Sequence, residues 1–335
     1  MADAKMNGLK TSGRLISVNQ EFGDEFDPRL VPVYRMLAAD RVNIAFLYAN
    51  YLNPEKRITC LVEQEALTRP GSGITGSGRM PSNSDKEASS GLVSVFPHRF
   101  SPAAAGSLLR TLSGNDISWN CMASSGSMLS FVCDHEVVDR AAGAIAAHLG
   151  VSGYRGPGLE HDPIARSLRT SPETVARYVE PRIRTYGIQS RTGLTLLRLF
   201  MDPDAIGKWA WQAAENGLKF CYASAENNQG GTGVMLDMVV DPENMQGREK
   251  DIFSCLAERG VHEPVTVVEN AGMISFYGPH FGDRYGIADK ALGGLRRAGV
   301  PVWLAGCVGA TVSMVMPSYA AENAEKALSE AFESP

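Results

Sequence analysis

Four times along the chain, short apolar runs and one amphipathic stretch follow one another in the same order. The last copy, residues 272–332, is the clearest. An apolar run at 273–277 breaks at Gly278 and Pro279, and the GIADKALGGLRRAG that follows places Ile287, Ala291, Leu292 and Leu295 at helical spacing. Gly299 is expected to end that helix, because glycine takes the left-handed C′ position without a Cβ clash. Two further apolar runs, 300–305 and 310–316, flank a Cys-Val-Gly turn, and after Pro317 a second amphipathic run covers 320–332. The predicted order is strand, helix, strand, strand, helix.

The same elements align in the other three copies. First strands are LISVN (15–19), LVSVF (92–96), LTLLRLF (194–200) and MISFY (273–277). Second strands are VNIAFLYA (42–49), ISWNCMAS (117–124), LKFCYAS (218–224) and VPVWLAG (300–306), and third strands are RITCLVE (57–63), SMLSFVCD (127–134), VMLDMVVD (234–241) and ATVSMVMP (310–317). Three matched elements in one order, four times over, describe an array of similar units, each a layer of helices on an antiparallel sheet. The expected organisation is repeat one at 10–69, a Gly/Ser-rich loop at 70–90, repeat two at 91–150, an insertion with a helix and a strand at 151–189, repeat three at 190–270 and repeat four at 271–335. The insertion divides the four into two tandem pairs.

Some segments stand outside the alignment. Residues 70–91 lie where repeat one needs its second helix and fourth strand, but their Gly and Ser content reads as a loop. The insertion shows a helical stretch at 172–178 and then RIRTYGI (182–188), a fourth strand that the pattern leaves open between repeats one and two. PVTVVEN (264–270) reads as the fourth strand of repeat three, and alternatively as the start of repeat four.

Composition narrows the function classes. In 335 residues, 44% are hydrophobic and 21% charged, and the net charge is −5 with no basic cluster. That balance describes a globular protein with no electrostatic footprint for nucleic acid. No apolar run approaches the length that spans a bilayer, so no membrane partner is expected and the protein is placed in the cytoplasm. Six cysteines without C-x-x-C spacing read as small buried hydrophobes. Six histidines without H-x-x-x-H spacing give no metal site, and no cofactor is implied. Gly71-Ser-Gly73-Ile-Thr-Gly76 matches G-x-G-x-x-G, but Pro70 precedes it and a Pro-Ser-Asn run follows, so the strand and helix that a dinucleotide site needs are missing. Trp209 and Trp211 flank Ala210 in a helix, so only one of them can point fully inward.

Gly286-Ile287, Leu292, Leu295 and Gly299-Val300 resemble the helix-and-strand core of ACT domains, particularly the paired regulatory ACT domains at the C-terminus of aspartokinases. There a Gly-Val pair opens the first helix and a Gly-Ile-Asn segment opens the second strand. The string Gly272-Met273-Ile274-Ser275 is similar to a loop of that family. The resemblance implies an α+β fold of four ferredoxin-like (βαββαβ) ACT-type modules, binding a small ligand that is typically an amino acid. Aspartokinases pair two such modules per subunit and associate through them, so this chain would fuse two pairs in one polypeptide. The kinase domain that precedes them in that family has no room here.

In such a fold the loop after the first strand sits over a helix N-terminus, where unpaired N–H groups and the dipole attract a carboxylate. Phe-Gly-Asp occurs in two of these loops, as Phe22-Gly23-Asp24 and as Phe281-Gly282-Asp283 after His280. Backbone N–H groups there would take an amino acid's carboxylate, and Asp24 or Asp283 its ammonium; the competing role is that both aspartates cap helices. Asn43, with Ile44, falls where the resemblance places a ligand-contacting asparagine. The corresponding positions are Asp116, Lys219 and Pro301, so only repeat one keeps it.

The leading reading is therefore a non-catalytic regulatory protein without catalytic residues, whose ligand lies between modules and whose output passes to a partner enzyme. A homodimer is left open. One alternative is an enzyme using the His98 and His280 loops with Asp283 or Glu21 as acid and base. Another is a ligand-free scaffold for protein interaction.

Overall fold

The structure, a computed structural model, describes residues 6–22, 31–52, 56–67, 89–151, 183–227, 233–248, 251–253, 265–278, 281 and 284–333. The chain begins with β1 (Gly8–Thr11), β2 (Leu15–Phe22), α1 (Val33–Ala39), β3 (Phe46–Asn50), β4 (Lys56–Glu63) and the short α2 (Gln64–Leu67). It continues with β5 (Ser89–Phe96), α3 (Pro102–Gly114), β6 (Trp119–Ser124), β7 (Leu129–Asp134) and α4 (Val138–His148). After the insertion come β8 (Ile188–Met201), α5 (Pro203–Glu215), β9 (Phe220–Asn227) and β10 (Val234–Val240). The last stretch is β11 (Thr266–Tyr277), α6 (Ile287–Arg297), β12 (Leu304–Val308), β13 (Thr311–Pro317) and α7 (Ala321–Ala331). Strand, helix, strand, strand thus recurs, and the fold is mixed and sheet-rich.

One local device marks each recurrence. At the end of the first helix, Val42, Ile117, Leu218 and Val300 each donate a backbone N–H to the carbonyl five residues earlier, at 2.8, 2.9, 2.9 and 3.0 Å. The residue just before each donor has positive φ: Arg41, Asp116, Gly217 and Gly299. This is the Schellman closure, which satisfies carbonyls that the helix end leaves without partners. It also shortens the second strands, because residues 42–44 finish the helix instead of starting β3.

The sheet differs from four separate sandwiches. Its strands form a single 13-stranded sheet, antiparallel throughout the named strands, in the order β1-β5-β2-β4-β3-β12-β13-β11-β8-β10-β9-β6-β7. A further pairing, β5 with β7, closes it on itself. Unpaired edges invite other chains, and this closure removes the one at β7, leaving β1, which pairs only with β5 among the described residues, at the margin.

Two long strands explain how the fourth-strand positions are filled. Ile188–Arg191 of β8 lies against Phe276–Met273 of β11, while Thr266–Val268 of β11 lies against Arg198–Leu196 of β8. The second half of β8 pairs with β10, and that of β11 with β13. The opening half of each strand therefore sits beside the unit that the other one starts. Residue 188 and those after it join the fourth unit, so the strand that the pattern left open between repeats one and two belongs to neither. Both readings of 264–270 hold where it is described, since β11 is continuous through them. β5 behaves alike, pairing β1 with its last residues and Leu15–Ile16 with Ser90–Ser89. That partner draws Ser89 and Ser90 into a strand where a loop was expected; residues 68–88 and the helical stretch at 172–178 lie outside the described residues.

Continuous apolar runs make sense in this architecture because both faces of the central strands are covered. On β3, Leu47 and Ala49 pack with Leu37 of α1 and Leu292 of α6, while Phe46 and Tyr48 face the other way, with Leu61, Cys121 and Ala123. On β10, Leu236 and Met238 pack in the cluster that holds Trp209 of α5, and Val239 joins Leu196, Tyr222 and Leu304. Helices therefore line one side, and the opposite strand faces meet each other. Of the two tryptophans, Trp209 is buried and Trp211 is 43% exposed. Among the described residues, no helix is long and apolar enough to cross a membrane.

Candidate functional site

The site is assembled where the first and fourth units meet, at the junction formed by β3 pairing with β12. From the first unit, the loop before β3 supplies Asn43 and Ile44, and α1 supplies Tyr34. From the fourth, Phe281, Arg284, Gly286 and Asp289 stand at the start of α6, with Cys307 below on β12. Three of the sequence candidates, Asn43, Ile44 and Phe281, are thus brought together. Phe22 is 5% exposed and lies in the hydrophobic cluster that also holds Phe281, so it serves the core. Gly23, Asp24, His280, Gly282 and Asp283 lie outside the described residues.

Tyr34, Arg284 and Asp289 were not singled out from the sequence. Their positions follow from packing α1 against α6 across the junction, which no single repeat encodes. A weaker signal was present for Gly286, already read as the helix start. It is the N-cap of α6 at φ 84°, a left-handed backbone natural to glycine. In the first unit, Gln20 holds the start of α1 from β2: its Oε1 accepts from Val33 N at 2.7 Å and its Nε2 donates to Val31 O at 3.1 Å.

First-turn N–H groups of α6 present positive partial charge, and Arg284 and Asp289 add one charge of each sign. Burial pushes the Tyr34 phenol up to about 12, with Arg296 opposing and Asp289 reinforcing the shift. Burial alone pushes the Cys307 thiol up to about 12. Both stay neutral near pH 7, so neither is a ready nucleophile or base. The notch holds about 10 Å³, room for roughly one water.

His98, proposed in the enzyme alternative, is structural here. It is 1% exposed, its Nδ1 accepts from Phe100 N at 2.9 Å, and Nε2 stands 2.9 Å from the Ser125 carbonyl oxygen, to which it must donate. Burial lowers its pKa, which keeps it neutral. Glu21 pairs with Arg57 at 2.5 Å, and Arg57 in turn with Glu226 at 2.7 Å. Among the described residues, no group of three or more His, Cys, Asp or Glu is placed to hold a metal.

No protein-family model and no curated protein matches the sequence. Among solved structures, the chain is similar to aspartate kinase from Synechocystis, with TM-score 0.70 and 16% identity, over 98% of this chain and 56% of that one. The regulatory subunit of aspartate kinase from Thermus thermophilus, ligand-free, gives TM-score 0.40 at 18% identity, over 44% of this chain and 99% of that one. E. coli aspartokinase III in complex with lysine and aspartate gives 0.33 at 16% identity, over 47% and 35%. The chain spans little more than half of the Synechocystis protein, and at this identity what the two share is the fold.

Proposed function

We propose that the chain is a non-catalytic regulatory protein of four ACT-type modules, at residues 10–69, 91–150, 190–270 and 271–335, that binds an amino acid at the seam of the first and fourth. The observation that carries this reading is the notch in which Asn43 and Ile44 of one unit face the start of α6 in another. Fold similarity over 98% of the chain to an aspartate kinase supports it. The α6 N-terminus and Arg284 suit a carboxylate, Asp289 suits an ammonium, and Asn43 suits either through its amide.

A space of about 10 Å³ is far below what an amino acid fills, so binding has to widen the seam. Ligand then acts by favouring the wider arrangement, and only in proportion to its preference for it. A coupling of about 1–3 kcal/mol is typical of such systems. That change in packing between α1 and α6 is what a partner enzyme would read.

Thermal denaturation of the full chain with each of the twenty protein amino acids tests the proposal. A ligand that binds the native state alone raises the midpoint in a concentration-dependent manner. One or a few amino acids should do so, and Asn43→Ala and Asp289→Asn should abolish the shift, each read against that variant's own unliganded midpoint. A flat response across all twenty would remove the reading.

A further inference from the structure

A larger space lies elsewhere, between the inward faces of the sheet. It measures about 410 Å³, within the range of small-molecule sites. One wall is β11 and β13, where Met273, Ser275 and Tyr277 alternate onto a single face beside Thr311 and Ser313. Gln189 and Arg191 of β8, the cross-strand partners of Ser275 and Met273, continue that wall, and Lys219 and Cys221 where β9 begins, with Phe100, complete the lining. No described residue lines both this cleft and the notch at the α1–α6 seam.

Both charged side chains in the lining of this cleft are cations. Arg191 donates from one nitrogen to Asp241 at 2.9 Å and from another to Cys221 Sγ at 2.8 Å. A guanidinium has five N–H donors, so these two bonds leave donors to spare, and the Arg191 side chain is 50% exposed. Lys219 adds a second cation to the lining, which contains no carboxylate among the described residues. Hydroxyls of Ser275, Thr311 and Ser313 provide further polar contacts, while Met273, Tyr277 and Phe100 form an apolar surface beside them.

We propose that this cleft binds a small organic acid, its carboxylate held by Arg191 and Lys219 and its carbon skeleton laid against Met273, Tyr277 and Phe100. Arg–carboxylate pairing supplies direction, and the apolar surface supplies the non-directional part of the affinity. The inference stands apart from the seam reading, and either can fail without the other.

Cys221 gives a local readout, because it is the one described cysteine that is not buried. Its alkylation by iodoacetamide in the full chain, followed by peptide mass spectrometry, is compared with phenylacetate, acetate or 2-phenylethanol at matched concentration. Phenylacetate should slow the reaction several-fold, and acetate and 2-phenylethanol should have much weaker effects, since each carries only one half of the recognition chemistry. In Arg191→Met with Lys219→Met, the ratio of rates with and without phenylacetate should return to one. An unprotected parent chain overturns the proposal. Equal protection by acetate or by 2-phenylethanol does so as well, and these arms need only the parent chain should the double variant not fold.

Discussion

Replacing Arg198 by methionine is expected to destabilise the chain by about 3–5 kcal/mol near pH 7, the cost of leaving a buried charge without its partner. Asp237 on β10 is 1% exposed, and its Oδ1 receives Arg198 Nε from β8 at 2.6 Å. The pair joins neighbouring strands, with the carboxylate buried and Arg198 only 13% exposed. Burial raises the Asp237 carboxyl above its ordinary value, and Arg198 pulls it part of the way back.

A carboxyl raised in the folded state contributes most to folding when it is protonated, below its unfolded pKa, and that contribution is lost as pH rises through the folded value. Without Arg198 the folded value climbs further, so the deficit of the variant shrinks as pH falls and Asp237 takes up a proton. Urea midpoints of parent and variant, compared at about pH 7 and about pH 5, should show a smaller gap at the lower pH. An equal gap at both would mean that removing Arg198 leaves the protonation of Asp237 unchanged over this range, against the account.

The second large effect is expected at Gly106. A Cβ added there would lie 2.5 Å from Ala210 Cβ and 3.1 Å from Gly207 Cα, because α3 and α5 pack backbone to backbone. Neither obstacle can turn aside, and Gly106→Val should cost at least about 2 kcal/mol through overpacking. Gly207→Ala makes the contrast. Its Cβ would meet the Arg110 side chain at 1.9 Å. Arg110 is 45% exposed and its ion pair with Asp204 is 3.5 Å long, so a change of rotamer can swing it into solvent. That variant should remain within about 1 kcal/mol of the parent, helped by alanine's better helix propensity. Thermal or urea denaturation of the two variants reads the contrast, and equal losses would contradict the close approach of the helices.

Local rules carried much of this fold in the sequence. Helix α6 was legible because Ile287, Ala291, Leu292 and Leu295 form a buried stripe, and Gly299 ends it at φ 68° as expected. At Arg41 and Asp116 the same helix ending is made without glycine, and nothing in their side chains announces it. In all four units, with or without that glycine, the apolar residues after the turn extend the second strand's pattern backwards, although β3, β6, β9 and β12 begin only at Phe46, Trp119, Phe220 and Leu304. What could not be seen is the pairing between units. Hydrophobic periodicity says which face of β8 or β11 is buried, but a long strand can serve two neighbours, and backbone partners leave no mark on side-chain pattern. The candidate site has the same history: Asn43 and Phe281 were legible in their own repeats, whereas Tyr34 and Asp289 join them only because β3 and β12 pair and bring α1 beside α6.

The central claim is that an amino acid lodges at this seam and widens it. Hydrogen–deuterium exchange of the full chain, with and without an amino acid that raises its thermal midpoint, tests this most directly. The account predicts slower exchange confined to residues 42–48 and 284–292, with α3 and α5 unaffected. Slower exchange centred on any other part of the sheet, with those two segments unchanged, would contradict it.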